Sequence, residues 1–254
     1  MPAHPGGVDP RRWSVSEPAQ IRRFFAEQAK HVVYFAGYGE LGYEDRAVVE
    51  GVVEDVLSDW PRSQILAHGG TLLRVDGQDG ITLAHQVAKR FGVQTSGIHP
   101  SVAMRFHATH RVSTFCDQVF FVEDEGWGGF TDSGDHSPTL RMHLDVSDEI
   151  VVIGGGWHAA HELKAFFDTG KRARYVPAVM NHDAARNWCR RAGIEMLDPR
   201  GAALETWEGL RRAAPGGEPD TLAMGTSARR HPTRPALPGT RPGHADSRRR
   251  RRPW

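Results

Sequence analysis

The chain has 254 residues, of which 39% are hydrophobic and 25% charged, and this composition predicts a globular protein with one full core. Its longest apolar runs, such as 150–153, are far too short to span a bilayer, and the first residues contain no apolar signal segment. The two cysteines, Cys116 and Cys189, favour a reducing compartment, so we expect a cytoplasmic protein.

The net charge of +1 conceals an uneven distribution. Residues 214–254 hold nine arginines against three carboxylates, a net charge of +6, which leaves −5 for the remainder. This tail is rich in Pro, Gly and Arg and is expected to be disordered, because it cannot bury enough apolar surface to offset its ordering entropy. The run Arg248–Arg252 could touch nucleic acid or anionic lipid, but a solvated tail is the favoured interpretation. The expected organisation is a flexible N-terminus at 1–15, one domain at 16–213 and the tail.

Apolar periodicity, caps and glycine stops predict alternating helices and strands. In chain order we expect a helix opened by Ser16 and Pro18, a strand at 31–36, a helix at 45–59, a strand at 64–70, a helix at 80–92, strands at 93–100 and, after a less regular segment, 118–125, a helix at 137–148, a strand at 149–156, a helix at 157–170, a strand at 173–180 and a helix at 183–193. The strands are continuous apolar runs, as expected where helices cover both faces. The predicted fold class is therefore α/β, a doubly wound, mostly parallel, Rossmann-like sheet in a single domain.

Three of the predicted strands end in glycine, at the edge where parallel sheets bind ligands. Glycine lets backbone N–H groups approach an anion, and a helix that starts immediately afterwards adds its positive dipole end. The turn at 154–156 fits this arrangement best, because a helix is predicted from Trp157. These turns together favour a phosphate-bearing ligand, through Gly37, Tyr38, Gly39, Gly69, Gly70, Gly154, Gly155 and Gly156.

The first turn reads Gly37-Tyr38-Gly39-Glu40-Leu41-Gly42, which matches G-x-G-x-x-G. An NAD-binding domain also needs an acidic residue at the end of the second strand, where it holds the ribose hydroxyls. Here the second strand ends Ala67-His68-Gly69-Gly70 without a carboxylate. The context therefore argues against NAD, and the sequence calls for no other cofactor.

The blocks "YFAGYGELGYED", "ILAHGGTLLRVDGQDGITLAHQVAKRFGVQTSGIHP" and "SDEIVVIGGGWHAAHEL" together resemble, in order and spacing, the LOG-like (SLOG) superfamily. That superfamily includes cytokinin-activating LOG phosphoribohydrolases and proteins called molybdenum cofactor carriers. The resemblance covers roughly residues 31–180 and implies a Rossmann-like fold, a nucleotide or related phosphorylated ligand and a homodimer.

In LOG proteins the third block is P-G-G-x-G-T-x-x-E, which aligns Gly155 and Gly156 with the paired glycines and Glu162 with the glutamate. The resemblance implies that this loop holds phosphate and that Glu162 lies near the ribose. Gly154 replaces the proline, while His158 and Ala159 replace the G-T pair. His158, if protonated, could supply a cation in place of the lost hydroxyl. Arg141 lies about two residues from the position of the family's catalytic arginine.

Other side chains offer weaker candidates. The segment 123–129, "EDEGWGG", places carboxylates and an indole at the end of a strand, so that Glu125 and Trp127 could contact a ribose or base. His158 and His161, like His107 and His110, are spaced as pairs of metal ligands are. Two ligands are too few for a site, and we expect no metal.

Two functions remain open. The first is hydrolysis of the N-glycosidic bond of a nucleoside monophosphate, in which Glu162 and Arg141 would be catalytic. The alternative is a non-catalytic nucleotide or cofactor carrier or sensor with the same fold, which the altered G-T pair and the displaced arginine favour.

Overall fold

The computed structural model describes residues 13–74, 79–193, 195 and 200–213. The predicted tail at 214–254 and residues 1–12 lie outside this range. Its strands are β1 (His31–Gly37), β2 (Ile65–Gly69), β3 (Leu72–Arg74), β4 (Gln94–Pro100), β5 (His110–Val112), β6 (Gln118–Val122), β7 (Glu149–Ile153) and β8 (Arg172–Val176). Its helices are α1 (Pro18–Gln28), α2 (Arg46–Ser58), α3 (Leu83–Arg90), α4 (Pro138–Val146), α5 (Trp157–Asp168), α6 (His182–Ala192) and α7 (Ala202–Ala213).

Six strands form one parallel sheet in the order β6-β4-β2-β1-β7-β8, which confirms the predicted doubly wound α/β fold. β1 and β7 are neighbours at the centre, paired from Val33 with Glu149 to Gly37 with Ile153. The chain winds outward from β1 to β6 on one side and from β7 to β8 on the other. Between β1 and β7 the order of the strands reverses, and this switch point is where such sheets bind ligands.

The helices cover both faces of the sheet because the strands are apolar on both. α2 and α3 pack on one face over Val33, Phe35 and Ile65. On the other face, α4, α5 and α7 enclose a cluster that includes Tyr34 and Ile150, and α1 packs beside α4. α5 lies between α4 and α7.

The sequence predicts a serine cap for both α1 and α4, but the structure shows one only at α4. Ser137 caps α4 as predicted, because its hydroxyl accepts a hydrogen bond from the N–H of Leu140 at 3.1 Å. Ser16 does not cap α1, which begins at Pro18 with Glu17 at the N-cap position and no side-chain bond. The N–H of Ser16 instead donates to the carbonyl of Phe121 at 2.7 Å. This bond, and the ring of Trp13 stacked on Phe121, attach residues 13–16 to β6, although the sequence predicts flexibility up to residue 15.

The sequence pattern missed two strands and one α-helix. β3 and β5 form a small antiparallel pair, with β5 inside the segment that we expected to be irregular. α7 was also not predicted. It packs against α5, and Trp207 of α7 lies over Tyr175 of β8 at 5.9 Å between ring centroids.

Candidate functional site

The turns that follow β1 and β7 meet at the switch point. The hydroxyl of Tyr43 joins them, because it accepts from the N–H of Tyr38 at 3.2 Å and donates to the carbonyl of Ile153 at 3.0 Å. A Cβ on Gly37 would lie 2.6 Å from that same carbonyl oxygen. Gly37 is therefore required for the close approach of the two turns, and the amide of Tyr38 is already occupied.

The turn from β7 to α5 has the geometry of an anion site. Gly154 and Gly155 have φ values of 57° and 111°, which side chains rarely adopt, and a Cβ on Gly155 would lie 2.5 Å from the Cβ of Ala159. Gly156 is the N-cap of α5 and offers no side chain to bond the first turn. Within the described part of the chain, the N–H groups of residues 157–159 have no acceptor. Unpaired N–H groups at a helix start attract an anion.

A cavity of about 530 Å³ adjoins this turn, between the start of α5, α6 and α7. Gly156 and Trp157 form one wall, and Trp157 is 67% exposed. The start of α7 packs on the turn, where the N–H of Ala203 donates to the carbonyl of Gly155 at 3.1 Å. The lining of the cavity includes Tyr38, Gly156, Trp157, Trp188, Arg200, Glu205 and Glu208.

The other glycine turns do not contribute equally to this cavity. Among the residues expected in the first turn, Tyr38 lines it, whereas Gly37 and Gly39 do not. A Cβ on Gly69 would lie 2.5 Å from the carbonyl oxygen of Phe35, and one on Gly70 would lie 3.1 Å from the side chain of Ile81. These two glycines are accounted for by close packing between β2 and its neighbours. Of the glycine-turn residues expected to contact phosphate, Tyr38 and Gly156 are the two that line this cavity.

Glu162 lies on the opposite flank of α5, where its carboxylate accepts a hydrogen bond of 2.8 Å from the hydroxyl of Tyr34. Burial raises the pKa of Glu162 to about 7, although the hydrogen bond from Tyr34 lowers it in part. The ring of Tyr34 stacks on His143 of α4, 4.4 Å between centroids and 10° between planes. Glu162 is therefore held against β1 and does not line the cavity beside Gly156.

A buried hydrogen-bonded chain supports Tyr34 from beneath. His143 Nδ1 lies 2.9 Å from His68 Nε2, and His68 Nδ1 lies 3.0 Å from the hydroxyl of Ser96. Burial lowers the pKa of His143 to about 3 and holds that of His68 well below its usual range, with the neighbouring His143 adding to the effect. Both imidazoles are therefore neutral near pH 7, and each can satisfy the other.

Neither Arg141 nor His158 forms a hydrogen bond or ion pair with Glu162, although His158 lies one helical turn before it on α5. Arg141 is exposed on α4, one turn before Asp145, whose carboxylate bonds Arg22 of α1 at 2.7 Å. His158 is at the surface in the first turn of α5, and the protein around it, with His161 as a smaller cause, lowers its pKa. A neutral His158 speaks against the expected cation at this position, though its ring can still donate one hydrogen bond.

Glu125 and Trp127 lie on an exposed loop instead of in the cavity. Glu125 pairs with Arg105, and the ring of Trp127 lies 5.1 Å from that of Phe106. Asp124 lies between β6 and Glu125 and is buried. Its carboxylate accepts hydrogen bonds from the N–H and the hydroxyl of Thr139 in the first turn of α4, at 3.1 and 2.6 Å. At least one carboxylate of the segment 123–129, that of Asp124, therefore stabilises the start of α4.

The side chains contributed by α6 and α7 to the cavity were missed by the sequence interpretation. Trp188, Arg200 and Glu205 lie beyond the last predicted strand, and no motif connects them with the glycine turn. The amphipathic pattern of α6 was the available signal. It places Trp188 and Cys189 on the same face of the helix as Ala185, and this face is turned toward the rest of the fold.

The residues that the structure describes contain neither a metal-binding cluster nor a membrane-spanning helix. None of these residues form a group of three or more His, Cys, Asp or Glu side chains that could hold a metal ion. No helix in the described ranges is long and apolar enough to cross a bilayer.

The solved structures that are similar to this chain include the Moco carrier protein of Chlamydomonas reinhardtii, at 17% identity over 73% of this chain and 99% of that one, with a TM-score of 0.39. They also include the molybdenum cofactor binding protein of the phototrophic bacterium Rippkaea orientalis, at 16% identity over 72% and 96%, with a TM-score of 0.41. No family model and no curated protein matches the sequence. At these identities and TM-scores the likeness carries no argument about the function of this chain.

Proposed function

We propose that the chain binds a phosphorylated small molecule of nucleotide type, with its phosphate at the start of α5. The observation that carries the proposal is the turn at 154–156, whose uncapped helix start borders a cavity of about 530 Å³ at the switch point of the sheet. Cavities of 300–1,000 Å³ are the usual size for small ligands.

The chemistry of the turn supports an anion in particular. Each hydrogen bond from a free N–H to a phosphate oxygen is charge-assisted and contributes about 1.5–3 kcal/mol. Three N–H groups, of residues 157–159, have no acceptor in the described chain, and no carboxylate occupies the first turn of α5. Arg200 also belongs to the lining of the cavity.

Replacing Trp157 by proline tests the amides directly. Proline is tolerated at the first position of a helix and lacks only the N–H group, so Trp157→Pro keeps α5 but removes one donor. Trp157→Ala is the matched control, since both variants lose the indole. We expect ribose 5-phosphate to bind Trp157→Pro about 10-fold more weakly than Trp157→Ala, measured by calorimetry. Equal affinity of the two variants, or no binding of ribose 5-phosphate or any nucleoside monophosphate by the unmodified protein, would contradict the proposal.

Hydrolysis of a nucleoside monophosphate is the second candidate, and the raised pKa of Glu162 favours it. A carboxyl group with a pKa of about 7 can act as a general acid or base at neutral pH. Its position on the other flank of α5 from the cavity, and the absence of any contact with Arg141, favour a carrier instead. Free base released from a panel of monophosphates, and lost in Glu162→Ala without loss of binding, would establish the enzyme. Binding without release supports the carrier.

Three broader expectations stay predictions: a cytoplasmic location, a homodimer and contact of the tail with nucleic acid. The expected cytoplasmic location rests on the two cysteines, which are both free. A homodimer is expected from the superfamily resemblance alone, and light scattering would test it. Contact of the arginine-rich tail with nucleic acid would give binding that weakens steeply with salt and disappears when residues 214–254 are deleted.

A further inference from the structure

The cavity beside α5 brings together groups of different chemistry. The amides of the first turn of α5, which have no acceptor among the described residues, border it, and Arg200 belongs to its lining. α7 contributes Glu205 and Glu208 to the same lining. Trp157 and Trp188 line it from α5 and α6. A ligand that fills the cavity would therefore meet amide donors, aromatic walls and carboxylates.

The two glutamates are not fully neutralised by the protein. Glu205 and Glu208 are three residues apart on α7, a spacing at which like charges repel each other. Glu205 forms no ion pair with any residue that the structure describes, and the nearest partner of Glu208 is Arg212, at 3.9 Å. Glu205 lies in the first turn of α7, where the helix dipole favours a carboxylate, but Glu208 does not. A positive charge in the cavity would relieve this repulsion.

Tryptophan is the aromatic residue that attracts cations most strongly, and its indole also stacks on flat rings. Trp157 is exposed at 67%, a large apolar surface that the described residues leave uncovered. A flat ring with a positive charge would use the indoles and the carboxylates together. A neutral flat ring would use only the indoles.

From this lining we infer that the cavity selects a ligand whose organic part is a flat, positively charged heteroaromatic ring, joined to the phosphate that the α5 turn holds. The inference deepens the proposed function and rests on it for the position of the phosphate. The ring lies against Trp157 or Trp188, and Glu205 and Glu208 face its charge.

Two pairs of probes test the charge while the sugar and the phosphate stay the same. 7-Methylguanosine 5′-monophosphate carries a positive ring and guanosine 5′-monophosphate a neutral one. Nicotinamide mononucleotide and its reduced form differ likewise in a smaller ring. We expect the cationic member of each pair to bind about 10-fold more tightly, measured by calorimetry or tryptophan quenching.

Variants identify the groups responsible. The double variant Glu205→Gln, Glu208→Gln is expected to reduce the preference to less than about 3-fold, with binding of guanosine 5′-monophosphate unchanged. Asp183→Asn is the control, because Asp183 is an exposed carboxylate of α6 that pairs with Arg186 and does not line the cavity. We expect it to keep the full preference. Trp188→Leu is expected to weaken both members of each pair.

Ribose 5-phosphate separates this inference from the proposed function. If ribose 5-phosphate and the neutral nucleotides bind but the cationic ones bind no more tightly, the inference is wrong and the phosphate site stands. A preference that survives in the double variant also overturns it. If no phosphorylated probe binds, both proposals fail.

Discussion

The two flanks of α5 differ in almost every physical respect. The flank that faces α6 and α7 is open, with an exposed indole at Trp157 and amides that have no acceptor among the described residues. The flank that faces α4 and β1 is closed, and there Glu162 and Tyr34 are hydrogen-bonded above two buried histidines. One helix thus separates an open surface with unpaired amides from a partly buried, hydrogen-bonded carboxyl group.

This difference bears on the choice between a carrier and a hydrolase. A catalytic carboxylate must reach the atoms of the bond that breaks, and geometry takes precedence over pKa in that judgement. Glu162 has the suitable pKa but lies on the closed flank. The glycine turn and the cavity have the suitable geometry for binding. Changes on the closed flank should therefore alter the stability of the protein and the titration of Glu162, whereas changes in the glycine turn should alter ligand binding.

The largest effect is expected from acid. His143, on the closed flank, and His99, a buried residue of β4 whose ring lies 5.9 Å from that of Phe121, have folded pKa values of about 3 because of burial, below the value of about 6.5 in the unfolded chain. The stability that each contributes is complete above pH 6.5 and is lost as the pH falls, because only the unfolded chain takes up the proton. At pH 5 the loss is about 2 kcal/mol for each histidine.

Urea denaturation at pH 7.5 and at pH 5.0 measures this loss. His143→Phe keeps the stack on Tyr34 and should reduce the difference between the two pH values by about 2 kcal/mol. His107→Gln is the control, because His107 is exposed and should leave the difference unchanged. An equal free energy of unfolding at both pH values in the unmodified protein would contradict burial of the histidines.

The next largest effect lies in the glycine turn. Gly155→Val forces a side chain into a position with φ of 111° and against Ala159, and we expect it to cost about 3 kcal/mol and to abolish ligand binding. Gly156→Ala is the matched control, since no atom lies within 4 Å of its Cβ position. We expect its thermal midpoint to match that of the unmodified protein. Equal stability of the two variants would mean that the turn is not constrained as described.

Features that depend on residues close in sequence were predicted from the sequence, whereas features that depend on distant residues were not. Continuous apolar strands and glycine stops are local, and they predicted the sheet and five of its covering helices closely. The turn at 154–156 was also found, because its glycines and the helix start are adjacent in the sequence. The partners of that turn were not found, since Trp188 and Glu205 approach it only after β8 and α6 have folded. The neighbours of Glu162 were missed for the same reason, because Tyr34 lies 128 residues away.

A smaller effect of opposite sign to that of the histidines is expected at Glu162. Its folded pKa of about 7 exceeds the ordinary glutamate value of 4.5, so the folded state holds the proton more tightly. The stability from this proton is complete below about pH 4.5 and is lost as the pH rises through 7. Glu162→Gln should therefore be more stable than the unmodified protein by about 1–2 kcal/mol at pH 8, and about equal to it at pH 5. Denaturation curves for both proteins at both pH values measure the difference, and a variant that is less stable at pH 8 would refute the raised pKa.

The smallest effect is expected from Tyr34→Phe, and it decides how closely the closed flank is coupled. The hydrogen bond from Tyr34 favours the charged form of Glu162, so its loss should raise the pKa of Glu162 further, at a cost in stability of about 1 kcal/mol. Carbon-13 NMR of the glutamate carboxyl groups follows this titration without any ligand. His143→Phe, which keeps the hydroxyl, should leave the titration nearly unchanged. A lower pKa in Tyr34→Phe would show that the hydroxyl does not stabilise the carboxylate, and a ligand that shifts the same resonance would show that the two flanks of α5 communicate.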